Sequence, residues 1–279
     1  MSKIEKKRVD QILVEKQMAT SREKAQAMIL SGIIFSNGKR IEKAGQRLTT
    51  ESSLEVKGSP LRYVSRGGLK LEGALKYFQI DSNQLEVIDV GASTGGFSDC
   101  LLQHGAIKIF CVDVGYGQLA WKLRQDSRIT VLERTNFRHL EYERIGRKVD
   151  LIVIDASFIS LNLILPNTRE FLKNGGKILA LVKPQFEASV GEVGKRGLVK
   201  DEDVQTRILE ELQHFAKNLK LDMMGKMESV ITGKKSGNRE FFIYLQYNQH
   251  SPKQEKEENV SDSGANIHKE IQSFEILDP

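Results

Sequence analysis

A chain of 279 residues that is 39% hydrophobic and 28% charged has room for one sizeable globular domain and a small one. Its two cysteines, Cys100 and Cys111, lack metal-ligand spacing, which speaks against a disulfide scaffold or metal knuckle and suits a reduced, cytoplasmic interior. No apolar core follows the basic start MSKIEKKRVDQ, and the longest apolar stretch, LIVIDASFISLNLILP, is broken by Asp155, Ser157, Ser160 and Asn162, so neither a signal peptide nor a spanning helix is expected.

The net charge of +5 is uneven: residues 1–62 carry 13 Lys and Arg against 7 Asp and Glu, and residues 250–279 carry 3 against 7. The basic front could contact phosphates. Val9, Ile12 and Leu13 predict a first helix ending near Gln17. Thr20 with Glu23 forms a capping box for a second helix, whose apolar stripe is Ala25, Met28 and Ile29. Gly32 stands where a helix-ending glycine belongs. GIIFSNGKRIEKAG supplies a strand, an Asn37-Gly38 hairpin turn and a return, and LEVKG at 54–58 supplies another short strand.

A joint follows at LRYVSRGGLKLEGAL, where Tyr63, Val64, Ser65 and Arg66 precede the Gly67-Gly68 pair and a helix containing Leu69, Gly73, Leu75 and Phe78. Next, VIDVGASTGGF (87–97) reads as strand, tight turn and helix start, the arrangement that holds a nucleoside-like ligand at a helix N-terminus. EVIDV, IKIFCVDV, ITVLE, VDLIVIDA and KILALV predict buried strands alternating with helices, hence a doubly wound parallel sheet. After the helix DVQTRILEELQHFAKNL, GKMESVI and REFFIYLQY form a terminal hairpin that makes the last strand antiparallel. The Lys/Glu/Ser/Asn-rich stretch 249–279 is expected to be disordered.

The dinucleotide fingerprint G-x-G-x-x-G is missing, because Gly91 is followed by Ala92, Ser93, Thr94 and then Gly95-Gly96. That spacing and the closing hairpin favour S-adenosylmethionine over NAD, with Gly91, Ser93, Gly95, Gly96, Phe97 and Asp155 around it. Asp113, closing the second strand, is placed to accept the ribose hydroxyls, and Asn136 to reach an adenine edge.

The first part, KRVDQILVEKQMATSREKAQAMILSGIIFSNGKRIEKAG, resembles the small RNA-binding domain of ribosomal protein S-four. That resemblance implies an α+β domain over 1–60 in which Arg8, Arg22, Lys24, Lys39 and Arg40 contact the backbone of folded RNA. It also implies a joint at 61–66 and a catalytic domain at 67–248. Over residues 5–247 the ordered motifs RYVSRGGLKL, DVGASTGGF, DASFISL and LVKPQFE resemble the TlyA family, whose catalytic domain is of the FtsJ-like type.

The resemblance implies a Rossmann-like sheet and methylation of the ribose 2′-hydroxyl of cytidine in 16S and, in many members, 23S ribosomal RNA. It places a Lys-Asp-Lys-Glu tetrad on Lys70, Asp155, Lys183 and Glu240. A lysine amine, with pKa about 10.4, is ordinarily charged at pH 7. Lys183 can take the hydroxyl proton only if burial or Lys70 lowers that value; on that condition it is expected to deprotonate the hydroxyl, or else to stabilise its oxyanion, with Lys70 assisting and the carboxylates orienting.

A cytosine C5 enzyme would need a strand-end cysteine facing the base, and an amino-methylating enzyme would carry an N/D-P-P-Y/F tetrapeptide where this chain has Asp155-Ala156-Ser157-Phe158. Some relatives carry a haemolysin label, so a membrane-active protein is one rival. A non-catalytic RNA-binding or ribosome-assembly factor is another.

Overall fold

The computed structural model describes residues 6–57, 62–231 and 237–249; the stretch expected to be disordered falls, from 250 on, outside the described residues. At the front, β1 (Lys6–Arg8) leads into α1 (Val9–Glu15), followed by α2 (Arg22–Ser31). The first helix ends near Gln17, as its apolar spacing suggests. Gln17 takes φ +56°, and the Met18 and Ala19 N–H groups both return to the Leu13 carbonyl. The cap of α2 is Ser21, not Thr20: Ser21 Oγ accepts from Lys24 N–H at 3.2 Å. Because the helix opens at Arg22, the Thr20 hydroxyl lies one residue too early to meet that amide. Gly32 ends α2 at φ +77° as expected.

Strand β2 (Ile34–Ser36) turns through Asn37 (φ +49°) and Gly38 (φ +73°) into β3 (Lys39–Arg40), and the two positive φ values match the twist of a tight hairpin. Two further strands follow, β4 (Arg47–Thr49) and β5 (Leu54–Val56). β5 adds to the other side of β2, while β4 pairs antiparallel with β1. The β1–β4 ribbon has no alternating apolar pattern and escaped the sequence reading. Val9, Leu13, Ala25, Ile29, Ile34 and Ile41 form the core of this region.

The remainder alternates: α3 (Gly67–Tyr77), β6 (Glu86–Val90), α4 (Gly96–Gln103), β7 (Lys108–Val112), α5 (Trp121–Arg124), β8 (Ile129–Leu132) and β9 (Val149–Ile154). It continues with α6 (Leu165–Phe171), β10 (Leu172–Val182), α7 (Pro184–Glu187), α8 (Glu202–Asn218), β11 (Leu221–Glu228) and β12 (Phe241–Tyr247). The seven strands run in the order β11-β12-β10-β9-β6-β7-β8. β10, β9, β6, β7 and β8 are mutually parallel, and β12 is antiparallel to both its neighbours, as the terminal hairpin predicts.

Each strand divides its side chains between two faces. Ile88, Ile152, Ile178 and Ile243 join α6 and α8 in one core. Val87, Leu151, Leu179 and Phe242 join α3 and α4 in the other. Both faces are covered, which is why these strands read as near-continuous apolar runs. The chain leaves β6 for β7 on one side and later returns to β9 on the other. The crevice at the carboxyl ends of β6 and β9 is the switch point where such sheets bind ligands.

Candidate active site

At that crevice the backbone comes close on itself. Gly91 follows β6 at φ +81°, and a Cβ there would lie 2.8 Å from the Asp155 carbonyl oxygen after β9. Only glycine lets the two strand ends converge so tightly. Gly95 (φ +91°) precedes α4, and Gly96 opens it. A Cβ on Gly96 would sit 2.2 Å from Ser65 Oγ and 3.0 Å from the Gly68 nitrogen, so the joint and α3 pack directly on the start of α4. Asp99 of α4 ties down the same corner, accepting from Val64 N–H at 2.8 Å and from Lys122 Nζ at 2.8 Å.

The result is a cleft of about 310 Å³. It is lined by Gly91, Ser93, Gly96 and Phe97, with Asp89 at its floor. Lys70, Asp155, Ser157 and Lys183 line it as well, together with Arg66 of the joint. Phe97 also stacks on Phe242, ring centroids 6.1 Å apart, and is chiefly a core residue.

Three members of the expected tetrad line this cleft, and the fourth reaches it through a partner. Lys183, 8% exposed, lies 2.6 Å from Asp155 Oδ1 and donates to Ala156 O and Ser157 Oγ, both at 2.9 Å. The Asp155 contact is an ion pair without hydrogen-bond alignment. Lys70 on α3 pairs with Glu240, which sits buried just before β12. The antiparallel strand therefore delivers a carboxylate to a helix 170 residues earlier in the chain.

Asp113 follows β7. Its Oδ2 accepts from Ser93 N–H and its Oδ1 from Gly115 N–H, each at 2.7 Å, so the carboxylate is fixed beside the glycine loop. Asn136 is exposed and outside the cleft lining; its Oδ1 accepts from Arg138 N–H at 3.1 Å and caps a short turn.

Sequence reasoning gave no role to two residues here. Asp89 is fully buried; its Oδ2 accepts from Ser98 Oγ at 2.6 Å, while its Oδ1 has no hydrogen-bond partner among the described residues. Burial pushes its carboxyl up to about 7. Phe158, three residues beyond Asp155, is 89% exposed at φ +64° and touches Phe186, ring centroids 5.1 Å apart. A bulky residue held in the left-handed region with its ring in solvent is a costly arrangement that points to use. Glu187 on α7 anchors this loop, accepting from Ser160 Oγ at 2.7 Å and Leu161 N–H at 2.9 Å, and burial raises its carboxyl.

Of the candidate RNA contacts, Lys24, Lys39 and Arg40 are exposed. Arg8 and Arg22 converge on Asp10, a wholly buried carboxylate. Arg8 donates through Nε at 2.9 Å and Nη2 at 3.0 Å, Arg22 through Nη2 at 3.3 Å, and Gln26 adds a bond of 2.9 Å. The Arg8 guanidinium holds the Asp10 carboxyl well below the usual range.

The sheet with its inserted antiparallel strand, and the glycine-lined cleft at its switch point, define a Rossmann-like methyltransferase domain. Residues 63–247 match the family model for FtsJ-like methyltransferases, and residues 7–53 match the S4 domain. Among curated relatives, the chain is 49% identical over 87% of its length to a Bacillus subtilis protein, YqxC, named provisionally as an rRNA methyltransferase; the match covers 86% of that protein. It is 42% identical over 85% of its length to a Mycobacterium tuberculosis protein named 16S/23S rRNA (cytidine-2′-O)-methyltransferase TlyA, covering 89% of that protein. A solved structure from Streptococcus thermophilus, provisionally named a hemolysin, superposes with a TM-score of 0.69 at 41% identity, covering 88% of this chain and 90% of that one. The chain belongs to the TlyA family of FtsJ-like methyltransferases. Among the described residues no helix is long and apolar enough to cross a membrane.

Proposed function

We propose that this protein transfers a methyl group from S-adenosylmethionine to the ribose 2′-hydroxyl of cytidine in ribosomal RNA, in the 16S and 23S molecules, in the cytoplasm. Residues 1–60 would bind RNA, 61–66 would join, and 67–248 would catalyse. The observation that carries the reading is the meeting of two lysine–carboxylate pairs, Lys183–Asp155 and Lys70–Glu240, with a glycine-lined nucleoside cleft.

The described residues fit the cofactor. The unpartnered Asp89 Oδ1 suits its ammonium group, and the loop Gly91–Phe97 leaves backbone room for its methionine part. Each Asp113 oxygen, with one lone pair used by an N–H, retains one for a ribose hydroxyl. Asn136 lies outside the cleft lining with its Oδ1 taken by Arg138 N–H, so only its side-chain N–H groups remain for an adenine edge. When bound, the sulfonium supplies an activated methyl and a good leaving group, so the protein's task is alignment and charge.

Lys183 carries that task. Ala156 O and Ser157 Oγ accept two of the amine's N–H bonds, which leaves its remaining position for the incoming 2′-hydroxyl, whose proton it takes as the oxygen attacks the methyl carbon. Asp155 holds the amine in place and Lys70, oriented by Glu240, adds positive charge where the alkoxide develops. Phe158 offers an exposed face for the acceptor base beside Asp155.

The test is incubation of both ribosomal subunits with labelled S-adenosylmethionine and mapping of alkali-resistant positions. Incorporation as 2′-O-methylcytidine is expected. Incorporation only into base atoms, or none into either subunit, refutes the reading. Cofactor titration separates an enzyme from a non-catalytic RNA-binding factor, and a liposome-leakage assay with Lys183→Ala separates it from a membrane-active protein.

A further inference from the structure

The loop that follows β9 and the turn that follows β10 are fastened together at three points, and only the first involves the tetrad. Lys183 donates to Ala156 O and Ser157 Oγ, both at 2.9 Å. Phe186 touches Phe158, ring centroids 5.1 Å apart. Glu187 closes the far end, accepting from Ser160 Oγ at 2.7 Å and from Leu161 N–H at 2.9 Å. The single turn of α7 sets this spacing. Pro184, whose fixed φ suits the first helical position, follows Lys183 directly, and the Ala188 N–H returns to the Pro184 carbonyl at 2.8 Å. Lys183 at the start of the turn and Glu187 at its end thus hold the same loop.

Holding a loop with a carboxylate costs desolvation. Burial raises the Glu187 carboxyl, and no salt bridge joins it to a cation among the described residues. An apolar contact would stabilise the loop without that penalty. What the carboxylate adds is direction, because its two oxygens fix two separate donors. Ser160 Oγ in turn accepts from Asn162 N–H at 3.1 Å, so residues 160–162 are locked as one piece. Between this lock and the end of β9 lie Ala156 and Ser157, the acceptors of the Lys183 amine, and the exposed Phe158.

We propose that Glu187 is a positioning residue for methyl transfer: by fixing Ser160 and Leu161 it holds Ala156 O and Ser157 Oγ where they aim the Lys183 amine at the acceptor hydroxyl. This rests on the reading of Lys183 as the group that handles the 2′-hydroxyl. Without Glu187 the loop loses its outer anchor and the two acceptors of the amine shift. A misplacement on the order of 1 Å at the reacting atoms costs about 10²-fold in rate. Ser160, Leu161 and Glu187 do not line the cleft, so cofactor affinity is left alone.

The test uses the full chain with Glu187→Ala and Glu187→Gln. Glutamine keeps both bonds, its carbonyl accepting from Leu161 N–H and its amide donating to Ser160 Oγ, whereas alanine loses them. In Glu187→Ala, kcat for ribosomal subunits should fall about 10- to 100-fold, with KM and S-adenosylmethionine affinity within about twofold of wild type. Hydrogen exchange of the amides at 156–162 should quicken about tenfold or more while that of β9 is unchanged. Glu187→Gln should keep kcat within about threefold of wild type and restore the slow exchange. Wild-type kcat in Glu187→Ala overturns the proposal, and so does unchanged exchange in the loop. A glutamine variant as slow as alanine overturns it by giving the role to the charge, and faster exchange in β9 overturns it by making Glu187 a residue of general packing. Exchange is read without methyl transfer: a wild-type chain that methylates neither subunit refutes the proposed activity, while the exchange of the loop still decides whether Glu187 anchors it.

Discussion

Replacing Lys183 by methionine keeps the length of the side chain and removes its charge and donors. Three contacts go: the ion pair to Asp155 at 2.6 Å and the bonds to Ala156 O and Ser157 Oγ at 2.9 Å. Stripping one member from a fully buried pair costs about 3–5 kcal/mol. The Asp155 side chain, however, is 24% exposed and faces the cleft, so water compensates part of the loss. A stability cost of about 1–2 kcal/mol is the expectation. Catalysis suffers more. Losing a positioned proton acceptor or oxyanion donor costs about 10²–10⁴ in rate, so kcat should fall about 10³-fold, or about 4 kcal/mol in activation free energy. Cofactor affinity should stay close to wild type, since the polar partners of Lys183 are Asp155, Ala156 and Ser157 and none belongs to the glycine loop. Single-turnover methyl transfer to ribosomal subunits reads the first quantity, and calorimetric titration with S-adenosylmethionine reads the second. Lost activity explained wholly by lost cofactor affinity, with kcat intact at saturation, would refute the assignment.

Four further outcomes follow from the same geometry. Asp89 is lifted to about 7 in the folded state, above its unfolded value, so the fold holds a proton that the unfolded chain releases; stability should therefore fall as pH rises from about 4 to 7, a slope that Asp89→Asn removes in urea melts. An ammonium group at Oδ1 would drive that proton off, so cofactor binding near neutral pH should release a proton, seen as a buffer-dependent calorimetric enthalpy. Gly96→Ala pits a helix-propensity gain of at most about 1 kcal/mol against a Cβ that would overlap Ser65 Oγ and lie 3.0 Å from the Gly68 nitrogen; the serine can turn aside but the backbone cannot, so α3 and α4 must part, and melting should fall by about 1–3 kcal/mol with weaker cofactor binding. Phe158→Ala removes an exposed ring, so melting should change little while kcat/KM for ribosomal subunits drops about tenfold; a loss of stability instead would make Phe158 a packing residue.

Much was legible from local pattern. The strands at 86–90, 108–112 and 149–154 announced themselves as short apolar runs because both sheet faces are covered. The Asn37-Gly38 turn and the Gly32 stop depend on φ values that few residues adopt, so their identities were sufficient. Where structure depends on geometry at the scale of a single residue, the sequence was a poorer guide. Ser21 rather than Thr20 caps α2, and Lys6–Arg8 pairs with Arg47–Thr49 without any apolar alternation to reveal it.

By itself, then, the sequence determined the alternation of elements, the antiparallel last strand and the glycine loop, because these follow from periodicity and backbone freedom. Lys70, Asp155, Lys183 and Glu240 could be named from a family resemblance; Asp155 and Lys183 also stood out as strand-end charges, but Lys70 and Glu240 in isolation read as plain surface charge. Only the tertiary structure paired Lys70 with Glu240 and Lys183 with Asp155, left Asp89 Oδ1 buried without a partner among the described residues, and set Arg8 opposite Arg47. The reason is distance along the chain: such contacts exist only once the sheet is wound, and no local pattern encodes which side chains it will bring together.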